Sequence, residues 1–234
     1  MENNKNQKIT TPIAIVVAGI LIMVGLLLTG GINGKNQDKD KTLSEQVGAS
    51  KEKLTECLKN TNTEALQTKI QTSVENAMKA LPADQRGTPY SIIIGKNGSK
   101  TEIRGASSIE NVKKLIDEVT SGNVTKKYEG EVPPVDADDH IMGNIDAPVV
   151  IVEYSDYECP YCKAFQATLD QVVAESNGNV AWVYRHWPIH QNSIAKLMAA
   201  ECISQIKGND AFWKYSDLLF SLLKTNTDAV TDQL

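Results

Sequence analysis

The chain has 234 residues, 41% of them hydrophobic and 23% charged, enough for one large packed domain or two small ones. A formal net charge of −5 without any long basic run argues against a nucleic-acid partner, because phosphate binding needs clustered Lys and Arg. Four cysteines are too few for a disulfide-stapled miniprotein, and a chain of this length needs no such staple.

Residues 1–10 read as a short polar tail. Ile9 to Gly34 carries no charge, and Pro12–Leu28 is almost wholly apolar. A helix of about 20 such residues crosses a bilayer core about 30 Å thick, so 11–31 is expected to be one transmembrane anchor. The alternative is a cleaved signal peptide, but its apolar core is shorter, about 7–15 residues, and no A-x-A site follows here. Lys5 and Lys8 precede the span and Lys35, Lys39 and Lys41 follow it, mixed with Asp38 and Asp40, so charge does not decide its orientation. Residues 32–42, rich in Gly, Asn and charge, read as a tether. Leu43–Leu58 has helical spacing. Thr61-Asn62-Thr63-Glu64 is a capping box, followed by an amphipathic face of Leu66, Ile70, Val74, Ala77, Met78 and Leu81 that Pro82 ends. Tyr90–Ile94 and Lys100–Gly105, joined through Lys96-Asn97-Gly98, form a β-hairpin. Ser107-Ser108-Ile109-Glu110 caps a further helix with Val112, Ile116 and Val119 on one face. Ser121–Pro148, with its prolines, glycines and acids, resembles a linker, and 121–138 is taken as one. Val149–Tyr154 and Val180–Trp187 are buried-type strands. A helix opens at Cys159 and runs through Phe165, Leu169 and Val172. Asn192–Leu223 gives two helices divided near Gly208-Asn209-Asp210. Strands alternating with helices indicate an α/β fold.

Cys159-Pro160-Tyr161-Cys162 follows a strand and opens a helix, the context of a redox pair. At the helix N-terminus, unpaired N–H groups and the helix dipole favour an anion, so Cys159 is expected to have a depressed pKa and to act as nucleophile. Pro160 suits a first turn whose N–H has no intrahelical partner, and Cys162 lies one turn on, in reach of a disulfide. Half of a zinc site is the competing reading, but neither Cys57 nor Cys202 supplies a second pair, and no metal is expected. Glu153, inside a buried-type strand six residues before Cys159, is either an edge-strand acid reaching solvent or, with a pKa raised by burial, a catalytic proton acceptor for Cys162. His140, His186 and His190 are weak signals and receive no role.

His140–Phe165, reading HIMGNIDAPVVIVEYSDYECPYCKAF, resembles the opening of the DsbA-like thiol:disulfide oxidoreductases of the thioredoxin-like superfamily. VAWVYRHWPIH and AAECISQIKGNDAFWKYSDLLF are similar to that family's second strand and inserted helical region. The resemblance implies a thioredoxin fold interrupted by a helical subdomain, then a cis-proline loop, two strands and a last helix. None of these follows Asp217. Gly87-Thr88-Pro89, YSIII, the Asn-Gly turn and Ile103–Ala106 with the helix after them resemble that second half, and Leu54–Leu58 resembles the segment preceding it. The expectation is a circular permutant, with 43–120 as the second half and 139–234 as the first, joined by 121–138. About twenty extended residues reach up to about 60 Å, ample for that join, and a break in a helical subdomain costs no sheet pairing. The competing reading is a piece of a longer chain.

The resemblance implies catalytic Cys159 and Cys162, with Thr88 and a cis Pro89 opposite them, and with Pro160 and Tyr161 completing the substrate-binding surface. A plain trans turn is the alternative for Pro89. Cys57 and Cys202 fall in segments of the same helical subdomain, either as a second, structural disulfide or as two buried thiols. No cofactor is expected. The expected partners are thiol-containing substrate proteins, a quinone-linked membrane protein that reoxidises the pair, and the lipid bilayer. Disulfide chemistry puts the domain on the extracytoplasmic side. A reductase or isomerase with the same pair, or a non-catalytic thioredoxin-fold binding module, are the rival functions.

Overall fold

The computed structural model describes residues 41–59, 63–136 and 138–223. The expected anchor at 11–31, the tether and Thr61 of the capping box lie outside them. No helix among the described residues is long and apolar enough to cross a membrane.

The first helical stretch is two helices, α1 (Leu43–Gln46) and α2 (Lys51–Lys59), where the sequence suggested one. Gly48, at φ 79°, turns the chain between them, a conformation that only glycine adopts cheaply. Thr42 and Glu45 form a reciprocal capping box that starts α1. The amphipathic helix α3 is Thr63–Ala80. The hairpin consists of β1 (Tyr90–Gly95) and β2 (Lys100–Arg104), with Asn97 Oδ1 accepting the Ser99 N–H at 2.9 Å in the turn. Helix α4 (Ile109–Ser121) has Ser108 as its N-cap, accepting from the Asn111 N–H. Then come β3 (His140–Met142), β4 (Val149–Ser155), α5 (Pro160–Glu175), β5 (Val180–His186), α6 (Ser193–Lys207) and α7 (Asn209–Ser221).

The five strands form one sheet in the order β2-β1-β4-β5-β3. β4 and β5 are parallel, with Ile151 opposite Trp182, and the other pairs are antiparallel. Strands β1, β4 and β5 are apolar nearly throughout because both sheet faces are covered. On one face Ile93, Ile151, Trp182 and Tyr184 pack with α2, α4, α5, α6 and α7. On the other, Ile92, Val152, Tyr154 and Val183 pack against Ala77, Ala80 and Leu81 at the end of α3.

The strand β3 has no signature in the sequence, since three residues inside a Gly-rich, acidic stretch carry no periodicity. The stretch read as a linker packs against the domain. Tyr128 is buried and donates to the Ala80 carbonyl at 2.5 Å, and its N–H donates to Lys100 O. Arg185 on β5 holds the Asp139 carboxylate with two bonds of 2.8 Å and donates to the carbonyls of Pro133 and Pro134. Polar composition marked the segment as exposed chain, whereas its backbone carbonyls and one tyrosine dock it.

Candidate active site

Strand β4 runs into the turn Asp156-Tyr157-Glu158, and α5 begins at once. Cys159 is the N-cap, with extended φ −89°, ψ 117°, and Pro160 is the first helical residue. The Cys159 N–H is held by the Asp156 carbonyl at 3.0 Å, which fixes the entry of the helix. The Cys159 residue is 3% exposed and Cys162 fully buried, whereas Tyr161 between them is 67% exposed. In this structure the two cysteines are free thiols.

The Thr88–Pro89 bond is cis. It lies directly against the cysteines, with the Cys159 thiol 3.3 Å from the Thr88 carbonyl oxygen. Residues separated by 71 positions thus meet at one sulfur. A shallow cavity of about 260 Å³ opens beside this loop, lined by Asp84, Gly87, Pro89 and Arg104 among others.

The two thiols feel opposite environments. The Cys159 pKa falls to about 6, chiefly because the Cys162 thiol donates to its sulfur. Burial opposes this, but the Thr88 hydroxyl and the N–H groups of Cys162 and Tyr161 add to the lowering. The Thr88 hydroxyl is buried and has no hydrogen bond of good geometry among the described residues, so it is available to the Cys159 sulfur. Burial pushes the Cys162 thiol well above its ordinary value, and the Cys159 sulfur and the Glu153 carboxylate push the same way.

Glu153 is fully buried on the third of five strands, which removes the edge-strand reading. Neither of its oxygens has a hydrogen bond of good geometry among the described residues. Burial raises its pKa to about 8. The nearby Ser155 hydroxyl and Trp182 indole N–H pull weakly the other way, and the Cys159 sulfur reinforces the rise. Pairing puts Ser91 opposite Glu153 on one side and Tyr184 on the other. The Ser91, Ser155 and Tyr184 hydroxyls likewise lack partners among the described residues, and the carboxyl is close enough to Cys162 to raise its pKa.

Two clusters escaped the sequence. Asp156 is buried and accepts from the N–H groups of Glu158, Ile189 and His190, from His190 Nδ1 and from the Ser193 hydroxyl. Burial alone would raise its pKa, but these donors outweigh burial and hold it below the ordinary value. It ties the turn before Cys159 to the loop after β5. The second cluster joins His140, His186 and Glu201 behind α6. Three scattered residues of common type give no local signal in either case. Cys57 on α2 and Cys202 on α6 are disulfide-bonded, with Cα atoms 5.9 Å apart.

Residues 136–233 match the family model described as "Thioredoxin". A "Na(+)/H(+) antiporter NhaA 3" of Salinispora tropica is 38% identical over 89 residues, which are 38% of this chain and 14% of that protein. A "Na(+)/H(+) antiporter NhaA 1" of Mycolicibacterium vanbaalenii is 35% identical over 88 residues, 37% of this chain and 14% of that protein. The chain therefore spans about a seventh of these relatives. Among solved structures, "Crystal structure of Pseudomonas aeruginosa DsbA2" is 33% identical, covering 38% of this chain and 50% of that one with a TM-score of 0.33.

Proposed function

We propose, from the geometry of the cysteine pair and the match of 136–233 to the thioredoxin family model, that this chain is a DsbA-like protein thiol:disulfide oxidoreductase working through Cys159 and Cys162. The observation that supports this most is the pairing of a low-pKa thiol at a helix N-terminus with a buried high-pKa thiol, facing Thr88-Pro89. In the oxidised form a substrate thiolate attacks Cys159 Sγ, and the Cys162 sulfur leaves. As a thiolate that sulfur is disfavoured by burial. Glu153, protonated at neutral pH, supplies its proton and takes it back on reoxidation. A second substrate thiolate then attacks the substrate's own sulfur in the mixed disulfide, forming the product disulfide and releasing Cys159 as a stabilised thiolate. The Thr88 and Pro89 backbone, with Pro160 and the exposed Tyr161, receives the extended substrate segment, much as an added strand would.

A stabilised Cys159 thiolate favours the reduced enzyme and makes the disulfide oxidising, so oxidation of substrate proteins is the direction proposed. The reduced pair is returned to the disulfide by a quinone-linked membrane partner, and 11–31 anchors the domain on the extracytoplasmic face. The two halves are read as circularly permuted. This rests on 43–120 contributing the cis-proline loop and on 139–234 contributing the cysteines to the same site. The reduction potential is the test, together with the rate at which the oxidised chain oxidises a reduced, unfolded protein. A potential well above about −270 mV with fast oxidation fits the proposal. A potential at or below that value, with reductase activity alone, hands the site to the reductase reading.

A further inference from the structure

We infer that His140, His186 and Glu201 form a site for one borderline divalent cation of the zinc type, separate from the cysteine pair. The inference does not rest on the proposed redox function. β3 and β5 pair with His140 opposite Tyr184, so His186, two residues on, shares a sheet face with His140. Glu201, from the middle of α6, comes down between them. Its Oε1 lies 2.7 Å from His140 Nε2 and 2.9 Å from His186 Nε2, and all three donors lie within 4.8 Å of one another.

The donor set is the two-histidine, one-glutamate combination that binds zinc with one position left open. Bonds of about 2.0–2.1 Å at tetrahedral angles put donors roughly 3.3 Å apart, so the two Glu201 separations need to open by less than an ångström and the two imidazole nitrogens, within 4.8 Å of each other, need to close by up to about 1.5 Å. The ligands are already held. His140 stacks on Phe212 with centroids 3.4 Å apart, and the residue after Glu201 is pinned to α2 by the Cys57–Cys202 disulfide.

Lys69 on α3 opposes the ion, with its Nζ 2.6 Å from Glu201 Oε2, while Arg185 in the same cavity is already paired with Asp139. Lys69 neutralises the carboxylate in the metal-free site. Its side chain is 33% exposed and borders a cavity of about 660 Å³ that reaches Glu201 and His140, so it has room to swing aside. The mouth of that cavity carries Asp136 and Asp138, which draw cations toward it.

The test is zinc titration of the full-length chain in mild detergent, oxidised so that both cysteine pairs are disulfides and offer no thiolate. The expected result is one zinc per chain, with X-ray absorption showing two imidazole nitrogens and carboxylate oxygen. Lys69→Ala should tighten binding about tenfold by removing a competing cation. His140→Ala, His186→Ala and the near-isosteric Glu201→Gln should each weaken it at least about tenfold. Should a histidine variant fail to fold, Glu201→Gln and Lys69→Ala, moving in opposite directions, still decide the matter. Absence of stoichiometric binding up to about 1 mM zinc, binding that survives Glu201→Gln, or weaker binding in Lys69→Ala would each overturn the site.

Discussion

Cys159 and Cys162 are one helical turn apart, yet the first is held in the range of neutral pH and the second far above it. At pH near 7, alkylation of the reduced chain should therefore reach Cys159 long before Cys162. The thiolate absorbance of Cys159 should titrate with a midpoint near 6. Thr88→Val removes one donor to that sulfur and should move the midpoint upward while the fold is kept. An unmoved midpoint would leave the Thr88 hydroxyl without electrostatic effect. Glu153 gives a prediction of opposite sign. Its folded pKa of about 8 lies above the unfolded value, so between about pH 4.5 and 8 the unfolded chain binds fewer protons than the folded one. Stability of the reduced protein is lost through that window. Glu153→Gln removes the loss, so the variant should gain on the native chain as pH rises from 5 to 8, reaching a few kcal/mol, then stay level. Urea unfolding at several pH values measures the gain. A pH-independent difference would mean that Glu153 does not titrate in the folded chain as its burial requires. The same variant should slow thiol exchange if Glu153 moves the Cys162 proton.

At the scale of elements, the helical region is held to itself by a covalent clasp. The Cys57–Cys202 disulfide joins α2 to α6 across 145 positions, and α2 otherwise rests on Leu54 and Leu58 in the core. Replacing both cysteines by serine should cost roughly 2–4 kcal/mol, read as a lower urea midpoint with the Cys159 thiolate titration unchanged. A loss below about 0.5 kcal/mol would show that packing alone holds α2. Elements with a strong period or a marked start were legible in the sequence: the apolar strands β1, β4 and β5, the Asn-Gly hairpin, and α5 opening at Cys159-Pro160. What stayed hidden depends on partners far along the chain. β3 is a strand only because β5 offers it an edge, with His140 opposite Tyr184. The 121–138 stretch docks because Arg185 and the Ala80 carbonyl bind it. At the site the cysteine pair announced itself through spacing. Asp156, by contrast, became visible only when loops from two elements converged on its carboxylate.

For the whole molecule, the order of the halves makes the sharpest claim. Residues 43–120 bring β1 and β2, and 139–234 bring β3, β4 and β5, with the join between the two sets running along the antiparallel β1–β4 pairing from Tyr90–Tyr154 to Gly95–Val149. Separated, each half would expose a sheet edge and much of the two apolar faces, which favours aggregation over folding. Ile92, Ile93, Ile151 and Val152 lie at this join and are fully buried. If the chain is one permuted domain, 43–234 should unfold in a single cooperative transition, with fluorescence and circular dichroism coincident, and the transition should shift when Cys159–Cys162 is reduced. Cutting the chain at a protease site introduced among 129–131 should leave both pieces associated, and still joined by Cys57–Cys202 until that bond is reduced in denaturant. Ile93→Ala on β1 provides the decisive control. It lies in the half without the redox cysteines, and its cost of roughly 2–5 kcal/mol should lower the one transition that the Cys159–Cys162 state also governs. Two transitions, with Ile93→Ala moving one and the redox state moving only the other, would separate the halves and remove Thr88-Pro89 from the proposed chemistry.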